Sequence, residues 1–418
     1  TVSLVSTSGD ITLDGLGDGS DTGNYGIEVR YFSVPSSITT GSGAINLIGQ
    51  GSLSGISDYN TGIYLQGTLL TSNSGDISLD GTGGGGTSSN YSRGLELEVP
   101  IISTGGLGSI SLTGTATAGL DNNEGIYAMG LNANTVDGDI VLNGTGSGQL
   151  NAKGINILDL NLNSSGSGNI SLIGQGGPGT DGATGISLID TVLQTQVGSI
   201  NLQGEGGGFG LYGNGINLLT GGVGGNSITT VSGGSVIMSG GAGLSGSSVS
   251  DDNIGLYMEN TQVSVVDGNI ALGGASNGFG DNNKGIFLNG GTYPNGIHLS
   301  GPNTSTINIT GVGGNGDANL VTGDNNTGID MLNTEITTDF DDTINILGTG
   351  GDINSAVGVL IDGSPVADFS GGIFNISGSD AYTGVVIYNV TTFSGDSLSI
   401  DGSGYAEGVD IISSGLPF

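Results

Sequence analysis

The sequence has no cysteine and no tryptophan, one histidine (His298), seven prolines and only four basic side chains: Arg30, Arg93, Lys153 and Lys284. Each shortage excludes something. Without Cys there is no disulfide framework, thiolate metal site or thiol nucleophile, a composition that suits an exported bacterial protein. Four bases against 38 acids give a formal charge of −34, which excludes nucleic acid and anionic lipid as partners. Apolar runs such as residues 385–388 stop after a few positions, far short of the roughly 18 that a transmembrane helix needs. The numbering opens at Thr1 with no charged start or apolar signal core, so an export signal is expected to have been removed or to lie outside this sequence.

What is present is glycine and a repeat. Of 418 residues 89 are Gly, yet 34% are apolar and only 10% charged, so the chain has the hydrophobicity to fold that disordered Gly-rich sequences lack. One motif, apolar-x-apolar-x-Gly, runs from end to end: Ile11-Thr-Leu13-Asp-Gly15 is the first of thirteen copies, and Leu398 to Gly402 the last. The mean period is about 32 residues, within the range of stacked repeat architectures. A second motif, Gly-apolar-x-apolar, follows each copy, as in Gly62-Ile63-Tyr64-Leu65 and Gly285-Ile286-Phe287-Leu288. A looser segment rich in Thr, Ser and apolar residues, such as residues 69–72, precedes each new cycle.

Alternation with period two, Ile/Leu/Val enrichment and Gly at the segment ends predict three short β-strands per cycle, and no segment keeps a helical period. Copies repeating one strand order stack most simply strand on strand, about 4.8 Å apart, as an all-β parallel β-helix, or β-solenoid, of about thirteen coils in one continuous domain over 1–418. The distance from first-motif Gly to second-motif Gly varies from 6 residues (378 to 384) to 17 (311 to 328). Variable loops are therefore expected on one corner of the coil, the usual place for binding in a solenoid.

The cycle Gly75-Asp-Ile-Ser-Leu-Asp-Gly81 with Gly94-Leu95, repeated as Gly168-Asn-Ile-Ser-Leu-Ile-Gly174 with Gly185-Ile186, resembles the β-strand-repeat regions of secreted filamentous-haemagglutinin-like exoproteins of two-partner secretion. Its Gly/Asn-rich character is similar to that of cyanobacterial members. The resemblance covers nearly the whole chain and implies a right-handed β-helix at the cell surface or in the matrix. The family's secretion-domain motif, Asn-Pro-Asn-Gly-(Ile/Leu), has its nearest counterpart at Tyr293-Pro-Asn-Gly-Ile297, far from the N-terminal position it occupies in the family.

Catalytic patterns are sparse. β-Helical lyases and polygalacturonases need bases or a His/Arg/Lys cluster beside their carboxylates, whereas the four bases here fall in four separate cycles. The pairs Asp251-Asp252 and Asp341-Asp342 are what chance supplies among 38 acids, so no enzyme is expected. More informative is Asp-x-Asn-x-Gly before the second strand: Asp58/Asn60, Asp121/Asn123, Asp251/Asn253, Asp281/Asn283 and Asp324/Asn326. Asp and Asn cap turns, tolerate left-handed backbone and form amide ladders. The same residues are candidate Ca²⁺ ligands, because carboxylates stacked about 5 Å apart repel by roughly 1 kcal/mol in water and oxygen-rich loops suit that ion. No other cofactor is required.

The chain opens on a third segment and closes just after a second one, with no polar or helical cap legible at either end. Two explanations follow: either the sequence is a fragment of a longer solenoid, or copies stack head to tail and generate a filament, spanning roughly 60 Å per subunit at the coil spacing. The expectation is an extracellular or cell-surface structural protein that polymerises with itself, with Ca²⁺ as modulator. The alternative is an adhesin or glycan-binding stalk acting on surface or matrix polysaccharide through its corner loops.

Overall fold

A computed structural model describes residues 2–20, 22–31, 34–53, 58–117, 119–179, 181–208, 211–222, 225–243, 251–278, 280–291, 293–314, 326–339, 341–351, 356–363, 368–390 and 392–412. Two compact units divide the chain, Thr1–Gly208 and Phe209–Phe418. Among the described residues every regular element is a strand and none is a helix.

In the first unit the first-motif strands, from Ile11–Leu16 and Ile45–Gln50 to Ile170–Gln175 and Ile200–Glu205, form one parallel ladder. Like residues meet like: Ile11, Ile45, Ile77, Ile110, Ile140, Ile170 and Ile200 stand in a single column. The second motif stacks likewise through Ile27, Ile63, Leu95, Ile126, Ile155 and Ile186. A third column runs from Leu4 through Ile38, Leu70, Ile102, Ala133 and Leu162 to Leu193. From Ile45 onward these columns are almost wholly buried. Each enclosed Ile or Leu contributes about 1.5–3 kcal/mol, and a one-residue slip would turn a whole strand inside out, so burial fixes the register.

The second unit repeats the plan. Its first-motif column is Val236, Ile270, Ile307, Ile344, Phe374 and Leu398. Toward the C-terminus aromatic residues replace aliphatic ones: Phe369 stacks on Phe393 at 4.9 Å, and Phe374 packs edge-on against both. Six complete three-strand coils lie within each unit among the described residues, and the strands Ile200–Glu205 and Ile216–Leu219, which belong to one further repeat of the sequence, are assigned to different units. The first and second motifs also fuse where the loop between them is shortest, giving the single strands Ile373–Tyr388 and Ser397–Ile412.

The paired glycines have a cause the sequence pattern does not display. A Cβ on Gly144 would lie 2.2 Å from the carbonyl oxygen of Gly154, and the same clash recurs at Gly15 with Gly26, Gly81 with Gly94 and Gly274 with Gly285. In these coils the first-motif glycine is pressed against the backbone of its second-motif glycine, closing the neck of the variable loop. Length changes beyond the neck leave the coil untouched, which is why they collect there.

In eight coils the corner between the second and third strands carries a left-handed residue: Gly67, Val99, Gly130, Asp159 and Asp190 in the first unit, Asn260, Asn333 and Asn389 in the second. In Ile126–Thr135, Ile155–Ser164 and Ile186–Thr195 this single residue bends a continuous ten-residue strand. Val99 is the misfit. It is β-branched, sits at φ 51° and precedes Pro100, a combination that costs about 1–2 kcal/mol relative to Gly or Asn. Val99→Asn is expected to stabilise the protein by about 1 kcal/mol, read as a higher urea midpoint with unchanged slope; an unchanged or lower midpoint refutes the strain.

Candidate functional site

Four of the five Asp-x-Asn copies lie wholly among the described residues; Asp324 lies outside them, while its partner Asn326 is described. All five asparagines, Asn60, Asn123, Asn253, Asn283 and Asn326, are buried, and their amides bind neighbouring coils. The Asn283 backbone N–H donates to Asn326 Oδ1 (2.8 Å) and the Asn253 N–H to Asn283 Oδ1 (3.0 Å). The Gly213 N–H donates to Asn253 Oδ1 (2.7 Å), the Ser92 N–H to Asn123 Oδ1 (2.8 Å), and Asn24 Nδ2 to Asn60 Oδ1 (3.1 Å). The middle residue, Tyr59, Asn122, Asp252 or Asn282, takes the left-handed conformation. Here the pattern is a turn whose amide satisfies backbone donors that would otherwise be orphaned.

The aspartates sit further out. Asp58 Oδ1 accepts from the Asn90 N–H (2.8 Å), Asp121 Oδ1 from Asn151 Nδ2 (3.0 Å) and Asp251 Oδ1 from the Asp281 N–H (2.8 Å). The fold thus brings Asp251 beside Asp281 and stacks Asn253, Asn283 and Asn326, but Asp58 and Asp121 answer to asparagine rather than to one another. No group of three or more His, Asp or Glu gathers in metal-binding geometry among the described residues.

A different constellation stands on the outward side of the second-motif strands. The residue before each second-motif Gly occupies one place in successive coils, reading Thr61, Arg93, Glu124, Lys153 and Thr184. The outward residue two positions after that Gly reads Glu28, Tyr64, Glu96, Tyr127, Asn156 and Ser187 in register. Arg93 is the hub, with Nη1 2.7 Å from Glu96 Oε1, Nε 2.9 Å from Glu124 Oε2, and its guanidinium 3.7 Å from the Tyr127 ring centre. Thr61 Oγ1 donates to Glu96 Oε2 (3.2 Å) and Asn156 Nδ2 to Glu124 Oε1 (3.2 Å). Lys153 Nζ reaches Asn156 Oδ1 at 3.3 Å.

Burial governs the proton affinities in this belt. Desolvation pushes the Glu96 carboxyl above its ordinary range despite the opposing pull of Arg93, and it lowers Lys153 against the attraction of Glu124. Tyr64 and Tyr127 are pushed up, again chiefly by burial. Arg30 pairs with Glu28 and covers the Tyr64 ring at 5.0 Å, and in the second unit Lys284 pairs with Asp330 at 2.6 Å and covers Phe287 at 3.9 Å.

Arg93, Lys153 and Lys284 stand immediately before a second-motif Gly and Arg30 just after a second-motif strand, and all but Lys153 lie on an aromatic ring beside a carboxylate. Sequence reasoning counted them as scattered over separate cycles. Aligning the cycles on the second-motif Gly would have exposed the series Arg93, Glu124, Lys153.

Comparison of the chain with protein-family models, with curated proteins and with solved structures finds no match.

Proposed function

We propose that the chain is a non-enzymatic structural β-solenoid, exported to the cell surface or matrix, whose coils are extended head to tail by further copies of itself. One observation carries the reading. In Ser397–Ile412 the core positions Val409 and Ile411 are 41% and 57% exposed, whereas their ladder partners Val385 and Ile387 are 0% and 3% exposed. Ile11 and Leu13, in the first unit's opening coil, are likewise only half-buried where Ile45 and Leu47 are enclosed. Leu398, 46% exposed at the same first-motif position as Ile11, makes the two faces alike, and each offers a strand edge that a parallel strand can join, whether from another copy or from further coils of a longer chain. Acidic side chains on the remaining surface keep such assemblies from clumping sideways, and divalent cations, with the half-buried aspartates of the Asp-x-Asn turns as candidate ligands, would moderate that repulsion.

Negative-stain electron microscopy with about 5 mM Ca²⁺, a level matched to weak extracellular sites, or with chelator tests the proposal. Unbranched fibres are expected with Ca²⁺, and their loss in chelator would assign the cation a role. Separate particles under both conditions would overturn self-association. Ile411→Asp, which places a charge on the open face, is expected to abolish fibres while leaving the circular dichroism of the single molecule unchanged.

A further inference from the structure

The outward column of second-motif strands contains four aromatic rings among the described residues: Tyr64, Tyr127, Tyr257 and Phe287. Three carry a cation of the chain itself: Arg30 over Tyr64, Arg93 over Tyr127 and Lys284 over Phe287. Each of those cations also holds a carboxylate, Glu28 for Arg30, Glu96 and Glu124 for Arg93, Asp330 for Lys284. The fourth ring, Tyr257, has no base over it. The residue corresponding to Arg93 and Lys284 in its coil is Ile254, and a cleft of about 350 Å³ opens there, lined by Tyr212, Asn214, Asn217, Asp252, Ile254 and Tyr257.

We propose that this cleft binds an organic cation, a guanidinium or ammonium group supplied from outside the chain. Tyr257 provides one aromatic face and Tyr212, at the mouth of the cleft and 55% exposed, a second; cations are held over such faces. Asp252, with no base within ion-pairing distance among the described residues, supplies the counter-charge. Asn214 donates from Nδ2 to Asn217 Oδ1 (3.1 Å), and that oxygen keeps a second lone pair for an incoming N–H. Tyr257 is also oriented, its hydroxyl oxygen accepting from Asn289 Nδ2 at 3.1 Å.

Two further facts point the same way. Tyr212 and Asp252 hold the same place in consecutive coils and both are left-handed, at φ 60° and 56°. Asn and Gly fill this place at Asn122, Asn151 and Gly182, and Tyr fills it at Tyr59 and Tyr91, whose rings stack at 5.1 Å across consecutive coils; the coil after Tyr212 carries the carboxylate of Asp252 there instead of a second ring. The chain's charge of −34 also favours a cation over an anionic ligand throughout the surrounding field. The cleft lies at the small end of ligand pockets, a fit for one side-chain-sized group.

Saturation-transfer NMR on the full chain at low salt would use N-acetyl-arginine amide, choline and, as a neutral control, methyl β-glucopyranoside. Binding of one of the two cations is expected, and its identity separates a basic polypeptide side chain from a free quaternary amine. Asp252→Asn and Tyr212→Asn, both at home in a left-handed turn, are expected to weaken that binding at least about tenfold with an unchanged unfolding midpoint. Removing one of 34 net charges barely alters the general field, so a loss of that size identifies a site. Ile254→Lys is expected to block the cleft by supplying from within the cation that Lys284 supplies to Phe287. No binding of either cation, tighter binding of the glucoside, or binding unaltered in all three variants overturns the proposal. Single molecules suffice for this measurement, so its outcome is independent of fibre formation.

Discussion

Arg93→Met is expected to cost about 3–5 kcal/mol, because it strands two buried carboxylates without the one base in ion-pairing distance of them among the described residues. The Glu96 and Glu124 side chains are 10% and 2% exposed and both bind the same guanidinium. Arg93→Lys should fare nearly as badly, since one compact ammonium cannot bridge both acids and lie flat on Tyr127. The loss should depend on pH in a definite sense. Burial already lifts Glu96 above its ordinary 4.5, and removing Arg93 deletes the attraction that opposed it. The folded variant then binds the Glu96 proton more tightly than the unfolded chain does, so its stability falls as pH rises from 4.5 through the elevated value. Urea unfolding followed by circular dichroism should therefore show the largest deficit at pH 7 and a narrowing gap toward pH 4.5. The triple change Arg93→Met, Glu96→Leu, Glu124→Met, which removes the three ion-paired side chains together, should recover most of the loss. A single variant as stable as the parent at pH 7 would show that the cluster contributes nothing.

Two adjacent glycines should respond in opposite ways to the same substitution. A Cβ at Gly240 would stand 1.9 Å from the carbonyl oxygen of Gly255, whereas a Cβ at Gly241 meets nothing within 4 Å. Gly240→Ala has to push two stretches of backbone apart, with no flexible side chain to yield, and is expected to cost about 3 kcal/mol or more. Gly241→Ala is expected to be neutral or to stabilise by about 0.5–1 kcal/mol through the lower entropy of the unfolded chain. Matched urea midpoints for the two variants would refute the idea that the glycine pair is a closed neck.

The glycine pair also shows where sequence reading succeeds and where it stops. Strand positions and their columns were legible because Ile, Leu and Val at alternate positions have to share one interior, and a fixed period leaves stacking as the simplest way to bury them. The cause of the invariant Gly was not legible, because a carbonyl pressed against a Cα is a contact between segments separated by a loop of variable length. The left-handed corner escaped for a related reason: Gly67, Val99, Asp159 and Asn260 share a conformation but no chemistry. At the site, Asp-x-Asn was found by its regularity and serves here as a turn. The Arg93 belt was missed because its members change identity from coil to coil, and only their shared position relates them. The cleft at Tyr257 was further out of reach, since it is defined by Ile254 at the place where Arg93, Lys153 and Lys284 stand in their own coils.

The columns of like residues have a consequence for how the chain acquires its structure. The side-chain caps that join coils link residues about 30 apart, as from the Asn169 N–H to Asp139 and from the Ser199 N–H to Asn169. Each coil thus offers its successor a finished template, while the first to form has none, so nucleation is the slow event and propagation the fast one. A polypeptide emerging from one end can add turns in the order in which it is released, without waiting for distant segments. Each coil that orders brings the segment after it into register, so the fold grows along the chain in the order of the sequence.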